Sequence, residues 1–208
     1  MGINQNFPQH HWDFSLALYA RPRVETACLT LQNDIALDVN VLLVSLYWAG
    51  KFQRALEPAL LRAADEEIEL WRRNVVIPLR ALRVGLKHGP PPAPSADTEV
   101  LRQMMKDAEL QAERTAQDTL STWFSRLALS PGVQPISQAM AMTANNVVDY
   151  YLSKPALSVE SNKAASAEDW RKSSNVQTAC PIPNNEDVRT IAELIAREAV
   201  KIYVADDR

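Results

Sequence analysis

The chain has 208 residues and a formal net charge of −3, and 47% of its residues are hydrophobic. Its length and apolar content suit one folded domain with an appendage, or at most two small domains. Only 5 glycines occur where average usage would give about 15, which argues against hairpin-rich β folds and glycine-rich phosphate loops. The small negative charge gives no general attraction to nucleic acid or anionic membranes, and two distant cysteines make no disulfide framework.

The N-terminal segment carries no apolar signal core. We therefore expect residues 1–10 to be disordered and the protein to be cytoplasmic. His10 and His11 precede the first apolar position, which is typical of a polar lead into a helix.

Two short helices are predicted next. Apolar residues at helical spacing indicate one helix over 12–20 and a second over about 22–33. Cys28 lies on the apolar side of the second helix, which favours a core thiol over a nucleophile because no histidine is near it in sequence.

The stretch 38–50, DVNVLLVSLYWAG, is apolar on every side of a helix, so other elements must surround it. It predicts a central buried helix with Asp38 as the N-cap and Gly50 as the stop. At this length the helix is too short to cross a bilayer, which needs about 20 apolar residues.

A longer helix is predicted to begin near Pro58. Its apolar positions continue one face through Pro78: Ile68, Trp71, Val75, Leu79, Leu82 and Leu86. Pro78 cannot donate a backbone hydrogen bond, so we expect a kink or break there. The proline-rich run 89–96 predicts a stiff, extended linker.

The longest periodic segment, 97–129, predicts a helix that packs on the first four. Its stripe consists of Leu101, Met105, Ala108, Ala112, Thr115, Thr119, Trp123 and Leu127. An alternative is that this helix forms a homodimer interface, although the small side chains of Ala108, Ala112 and Ala116 would bury little apolar surface there. A further helix is predicted over 135–152.

Residues 153–184 are rich in Ser, Ala, Asn and Lys, which predicts a flexible tether. An amphipathic helix over 185–208 ends the chain. Its apolar side carries Val188, Ile191, Ile195, Ala199 and Ile202. Such a face must dock on something, which is either its own domain or another chain.

The N-terminal block WDFSLALYARPRVETACLTLQNDIALDVNVLLVSLYW resembles the signature of an uncharacterised proteobacterial family of small helical proteins, a domain of unknown function. The residues that carry the resemblance are Trp12, Phe14, Ser15, Leu16, Tyr19, Pro22, Val24, Cys28, Leu29, Leu31, Gln32, Asp38, Val39, Asn40, Leu42 and Leu43, with Trp71, Pro78, Leu79, Arg80, Leu82 and Lys87 further on. It covers residues 10–152 and implies an all-helical fold but no activity. Arg23 departs from it, because glycine is expected after Pro22.

Motifs for catalysis are missing from the sequence. It contains no Glu-x-x-His pair, HExxH, GxSxG, Walker or GxGxxG motif, and three scattered histidines do not suggest zinc. Helical Mg²⁺ enzymes use paired acidic motifs, which makes two groups of acidic residues candidates. They are Asp34 with Asp38, and Asp65 with Glu66, Glu67 and Glu69.

The best binding candidate is a basic arc opposite the apolar face of the predicted Pro58 helix. On a helical wheel it unites Arg72, Arg73, Arg80, Arg83 and Lys87. This arc could bind RNA phosphates, anionic lipid or an acidic protein, or it could be a solvated face. No aromatic residue is interleaved with these cations for base stacking.

Together these patterns predict an all-α protein, a compact multi-helix bundle over 11–152 followed by the tether and the terminal helix. We expect a non-enzymatic, cytoplasmic interaction or adaptor module with no catalytic, cofactor or metal residues. The predicted partner-binding residues are Arg72, Arg73, Arg80, Arg83, Lys87, Val188, Ile191, Ile195 and Ile202. A nucleic-acid or anionic-surface binder and a Mg²⁺-dependent enzyme are the alternatives, and the predicted partner is an unknown protein or a second copy.

Overall fold

The computed structural model describes residues 10–127, 129–154 and 185–204. Within these residues every regular element is helical, so the predicted all-α fold is confirmed. The helices are α1 (His11–Tyr19), α2 (Val24–Ile35), α3 (Val39–Phe52), α4 (Pro58–Glu67), α5 (Glu69–Trp71), a π segment (Arg72–Val76), α6 (Ile77–His88), α7 (Ala96–Arg126), α8 (Ile136–Ser153) and α9 (Asn185–Val204). The predicted disorder of 1–9 and most of the predicted tether, 155–184, lie outside the described residues.

The chain divides into two compact units. The first contains α1 to α4, the part of α7 from Gln117 onward, α8 and α9. The second is Ile68–Ala116, which holds α5, the π segment, α6 and the first part of α7. None of the helices in the described parts of the chain combines the length and the apolar character that a membrane span needs.

The central helix of the first unit is α3, as predicted. All residues from Asn40 to Gly50 are buried, and α1, α4, α8 and α9 contact the helix. Asp38 caps it, since its Oδ1 accepts the Asn40 N–H at 2.8 Å. The side chain of Asn40 accepts a hydrogen bond from Gln117 at 3.0 Å, which satisfies a polar group in this core. Each large apolar side chain buried here contributes about 2 kcal/mol.

The predicted stop at Gly50 is wrong. α3 continues to Phe52 and ends at Gln53, whose backbone is left-handed with φ 50°. Gly50 serves close packing instead, because a Cβ there would overlap the Tyr203 ring and lie 2.7 Å from Met140 Cε. The Tyr203 hydroxyl donates to the Tyr47 carbonyl at 3.0 Å, which fixes that ring against α3.

α2 supports one of the predictions. Its N-cap, Arg23, has φ 69°, a left-handed conformation that glycine adopts without strain. Cys28 is fully buried, and burial raises the pKa of its thiol to about 12. Its full burial makes Cys28 a core residue, as predicted.

The terminal helix α9 docks on its own unit. It packs chiefly on α8 and also contacts α2, α1 and α3. Arg21 joins it to the loop after α1 through Glu198 at 3.0 Å. In this structure α9 thus packs within its own chain.

The sequence predicted one longer helix that begins near Pro58 and continues its apolar face through Pro78, but the structure divides this segment into several helical elements. The helix that begins at Pro58 is interrupted at Ile68, whose φ of −107° and ψ of 2° are not helical. A π segment then precedes α6, in which Pro78 is near the first position, where its missing N–H costs little. A π segment thus lies just before Pro78, while Val76 and Ile77 keep helical backbone angles, so the kink or break expected at Pro78 itself stays a prediction.

The loop between α6 and α7 is not the extended linker that its prolines predict. The Ala93 N–H donates to the Pro90 carbonyl at 2.9 Å, which closes a turn. Ser95 caps α7, because its Oγ accepts the Thr98 N–H at 3.2 Å while Thr98 Oγ1 accepts the Ser95 N–H at 2.8 Å. This reciprocal pair fixes where α7 starts.

Candidate functional site

Two members of the predicted basic arc form an ion-pair network with α7 inside the second unit. Arg80 donates to Glu109 at 2.8 Å and to Glu113 at 2.7 Å. Arg83 donates to both oxygens of Glu109. Only 6% of Glu109 is exposed, so the two guanidinium groups face a buried carboxylate. Arg80 and Arg83 therefore hold α6 to α7.

The network also controls the ionisation of Glu109. Burial alone would raise the pKa of this carboxyl, but hydrogen bonds from Arg83 and Arg80 outweigh it and hold the pKa below its usual value. Glu109 is consequently ionised at neutral pH and satisfies both arginines.

The other members of the arc lie in different surroundings. Arg72 is 6% exposed and buried in the π segment. Arg73 is exposed and lies 3.9 Å from Glu69, four residues earlier on the same helical segment. Lys87 is exposed at the end of α6. A helical wheel at 100° per residue groups these cations wrongly because the π segment changes the angle between residues before and after it. Partner binding through the arc stays a prediction.

The second unit also exposes much apolar surface. No residue of α6 is buried, although the helix carries Leu79, Leu82 and Leu86. Seven of the eleven large apolar residues that are exposed in the described chain belong to this unit: Leu70, Trp71, Leu82, Val100, Leu101, Met104 and Leu110. Val100 is 65% exposed and Leu82 57%. This set is called the apolar surface of the second unit below.

The predicted partner residues of the terminal helix differ in how deeply they are buried. Val188 and Ile195 are fully buried within the first unit, whereas Ile191 and Ile202 are half-buried. Val188 and Ile195 thus belong to the packing of α9, and a second molecule could reach them only if α9 left its place.

The acidic candidates for Mg²⁺ do not converge. Asp38 is an N-cap, and Asp65 is buried where it accepts hydrogen bonds from Tyr150, at 2.9 Å, and from Tyr151. Among the described residues, neither takes part in a group of three or more side chains spaced to hold a metal. A surface cavity of about 380 Å³ near Tyr150 contains one carboxylate, Asp149, which already pairs with Arg189 at 2.8 Å.

Sequence reasoning missed one cluster. His11 is not a polar lead residue but is buried, with 5% of its surface exposed, and its Nε2 lies 3.1 Å from Asp118 Oδ1. His10 caps α1 through Nδ1, which accepts the Trp12 N–H at 3.2 Å. One ligand atom from each of His10, His11 and Asp118 lies within 4.8 Å of the others. No local signal connects α1 with a residue so far along the chain.

The fold and these contacts define the class of the protein: it is an all-α protein whose polar clusters join helices within each unit. Residues 10–120 match the family described as Protein of unknown function (DUF2390), and the chain belongs to that family. The expected membership in a helical family of unknown function is thereby confirmed over residues 10–120, and the description of the family states no activity. No curated protein and no solved structure matches the chain.

Proposed function

We propose that this protein is a non-enzymatic, cytoplasmic interaction module and that the apolar surface of its second unit binds a protein partner. The observation that carries the proposal is α6, an amphipathic helix with no buried residue. An amphipathic helix normally buries its apolar stripe, and clustered exposed apolar side chains mark contact surfaces.

The electrostatics of the same unit favour a protein over a nucleic acid. Arg80 and Arg83 are engaged by Glu109, which leaves Arg73 and Lys87 as exposed members of the basic arc. Two exposed cations give little counterion release on a phosphate backbone, whereas they suit the polar rim of a protein interface. The partner is a different protein or a second copy of this chain.

The test compares three full-length chains: the wild type, a second-unit variant and a matched control. The second-unit variant carries Leu82→Asp, Val100→Asp and Met104→Asp. The control carries Leu16→Asp, Leu29→Asp and Met142→Asp, which change exposed apolar residues of the first unit. Partners are captured from native cell extract, self-association is measured by sedimentation, and circular dichroism verifies that each chain is folded.

We expect the second-unit variant to weaken capture or self-association at least about tenfold and the control to leave it unchanged, because buried apolar anchors carry most interface energy. Binding that survives the second-unit changes would contradict the proposal. So would binding that falls steeply with salt and is lost in Arg73→Glu with Lys87→Glu, or turnover that Asp34→Asn with Asp38→Asn abolishes.

A further inference from the structure

We propose that His10, His11 and Asp118 form a binding site for Zn²⁺ at the start of α1. The three side chains come from two elements of the first unit, and one ligand atom of each lies within 4.8 Å of the others. Two imidazoles and a carboxylate are a ligand set that zinc accepts, with water completing a tetrahedral site.

Two of the ligands already lie side by side. His11 is buried at the first residue of α1, and its ring meets Tyr47 edge-on at 6.1 Å between centroids. Its Nε2 lies 3.1 Å from Asp118 Oδ1, the separation of a hydrogen bond. A metal ion that binds both groups displaces the proton between them, and small shifts of the half-exposed Asp118 side chain make room for the ion.

The third ligand is adjustable. His10 is exposed, and its ring lies next to that of His11, with centroids 4.4 Å apart and planes at 30°. Metal binding requires the His10 ring to rotate, because an imidazole holds a metal in its own plane. The rotation gives up the 3.2 Å cap to Trp12 N–H, so one hydrogen bond is exchanged for a bond to zinc.

The metal would act as a structural link. His10 and His11 begin α1, whereas Asp118 belongs to α7. An ion bound to all three fixes the start of the first helix to α7 within the unit. The ligand set separates zinc from Mg²⁺ or Ca²⁺, which prefer sites made of oxygen atoms.

The experiment uses the untagged full chain after removal of metals with a chelator. Co²⁺ is added first, because its visible absorption reports tetrahedral coordination, and Zn²⁺ is then used to displace it. The chain is compared with His10→Gln and Asp118→Asn, two changes at exposed or half-exposed positions, and with His88→Gln and Asp107→Asn as matched controls on exposed residues. Circular dichroism checks that every variant is folded.

We expect one Co²⁺ per chain with tetrahedral absorption, displacement by Zn²⁺, and a rise in melting temperature on zinc addition. His10→Gln and Asp118→Asn should each weaken binding at least about tenfold, and the controls should bind like the wild type. Absence of binding at about 100 μM Zn²⁺, a concentration far above what a structural zinc site needs, would overturn the proposal. Equal affinity in the wild type and the two site variants would overturn it as well.

Discussion

Gly50 is a residue of α3 that lies directly against side chains of α8 and α9 within the first unit. The space above its Cα is filled by the ring of Tyr203 and by Met140 Cε. Tyr203 is buried and is held by a hydrogen bond to the Tyr47 carbonyl, so its ring cannot simply move away. A methyl group at this position therefore requires neighbouring side chains to shift.

We predict that Gly50→Ala lowers the free energy of unfolding by about 1 kcal/mol. Overpacking costs about 1 to 3 kcal/mol, and the better helix propensity of alanine offsets about 1 kcal/mol of that. Urea unfolding followed by circular dichroism measures the change. Gly85→Ala is the matched control, because nothing lies within 4 Å of a Cβ built there, and it should raise stability by up to about 1 kcal/mol. Equal effects of the two substitutions would contradict this account of Gly50.

Sequence reasoning worked for single residues whose role depends on their local segment. Asp38 precedes an apolar run and caps it, and Cys28 lies on an apolar helical side and is buried. It failed for Gly50, because glycine occurs both at helix ends and at close contacts between helices. The local sequence does not distinguish these two roles. It failed for His11 because burial of that ring depends on distant Tyr47 and Asp118.

At the scale of elements, the second unit depends on a polar network as well as on apolar packing. Glu109 receives hydrogen bonds from both Arg80 and Arg83, and Trp71 Nε1 donates to the Ala112 carbonyl at 2.9 Å. These contacts join the segment before and within α6 to α7. A large part of α6 remains uncovered, so the network replaces some of the apolar burial that usually holds two helices together.

We predict that Glu109→Gln destabilises the protein by about 2 kcal/mol at pH 7, because it removes the charge that satisfies two arginines. The pKa of Glu109 is lower in the folded than in the unfolded chain. The stability that ionised Glu109 contributes to the folded protein is therefore present above the pKa of the unfolded chain, about 4.3. It is lost as the pH falls through the lower pKa of the folded chain.

Urea unfolding of the wild type and Glu109→Gln at pH 7 and pH 3 measures both parts of this prediction, with the stability difference shrinking at pH 3. The exposed Asp107, also on α7, provides the control, and Asp107→Asn should change stability by less than about 0.5 kcal/mol. A difference between wild type and Glu109→Gln that stays constant over this pH range would show that the charge of Glu109 is not the cause.

The presence of the helices was predictable, but the direction in which each side chain points around the helix axis was not. Apolar spacing correctly indicated helices near α6, α7 and α8. The break at Ile68 and the π segment after Trp71 shift every later residue around the helix axis, so Arg72 is buried while Leu82 is exposed. A wheel drawn at a constant angle cannot contain such shifts, since they follow from packing and from Pro78.

At the scale of the whole molecule, α9 completes the first unit. Its small residues Ala192, Ala196 and Ala199 are buried together with Val188 and Ile195, which brings its backbone close to α8. The amphipathic pattern showed that this helix must dock. It could not show where, because an apolar stripe does not identify the surface that receives it.

We predict that Ile195→Ala lowers the free energy of unfolding by about 3 kcal/mol, because it leaves a cavity between α9 and the rest of the first unit. Ile191→Ala, at a half-buried position of the same helix, is the matched control and should cost clearly less. Thermal and urea unfolding provide the measurement. A small effect of Ile195→Ala would mean that α9 contributes little to the folded unit.

The docking of α9 also has a consequence for biosynthesis. A ribosome makes α1 to α8 before it makes residues 185–204, so the side of α8 that packs on α9 lacks that contact while the chain is still growing. Nascent chains that stall after α8 would present a hydrophobic face to chaperones and proteases. Once α9 has been made and has packed on α8, this hydrophobic face of α8 is covered.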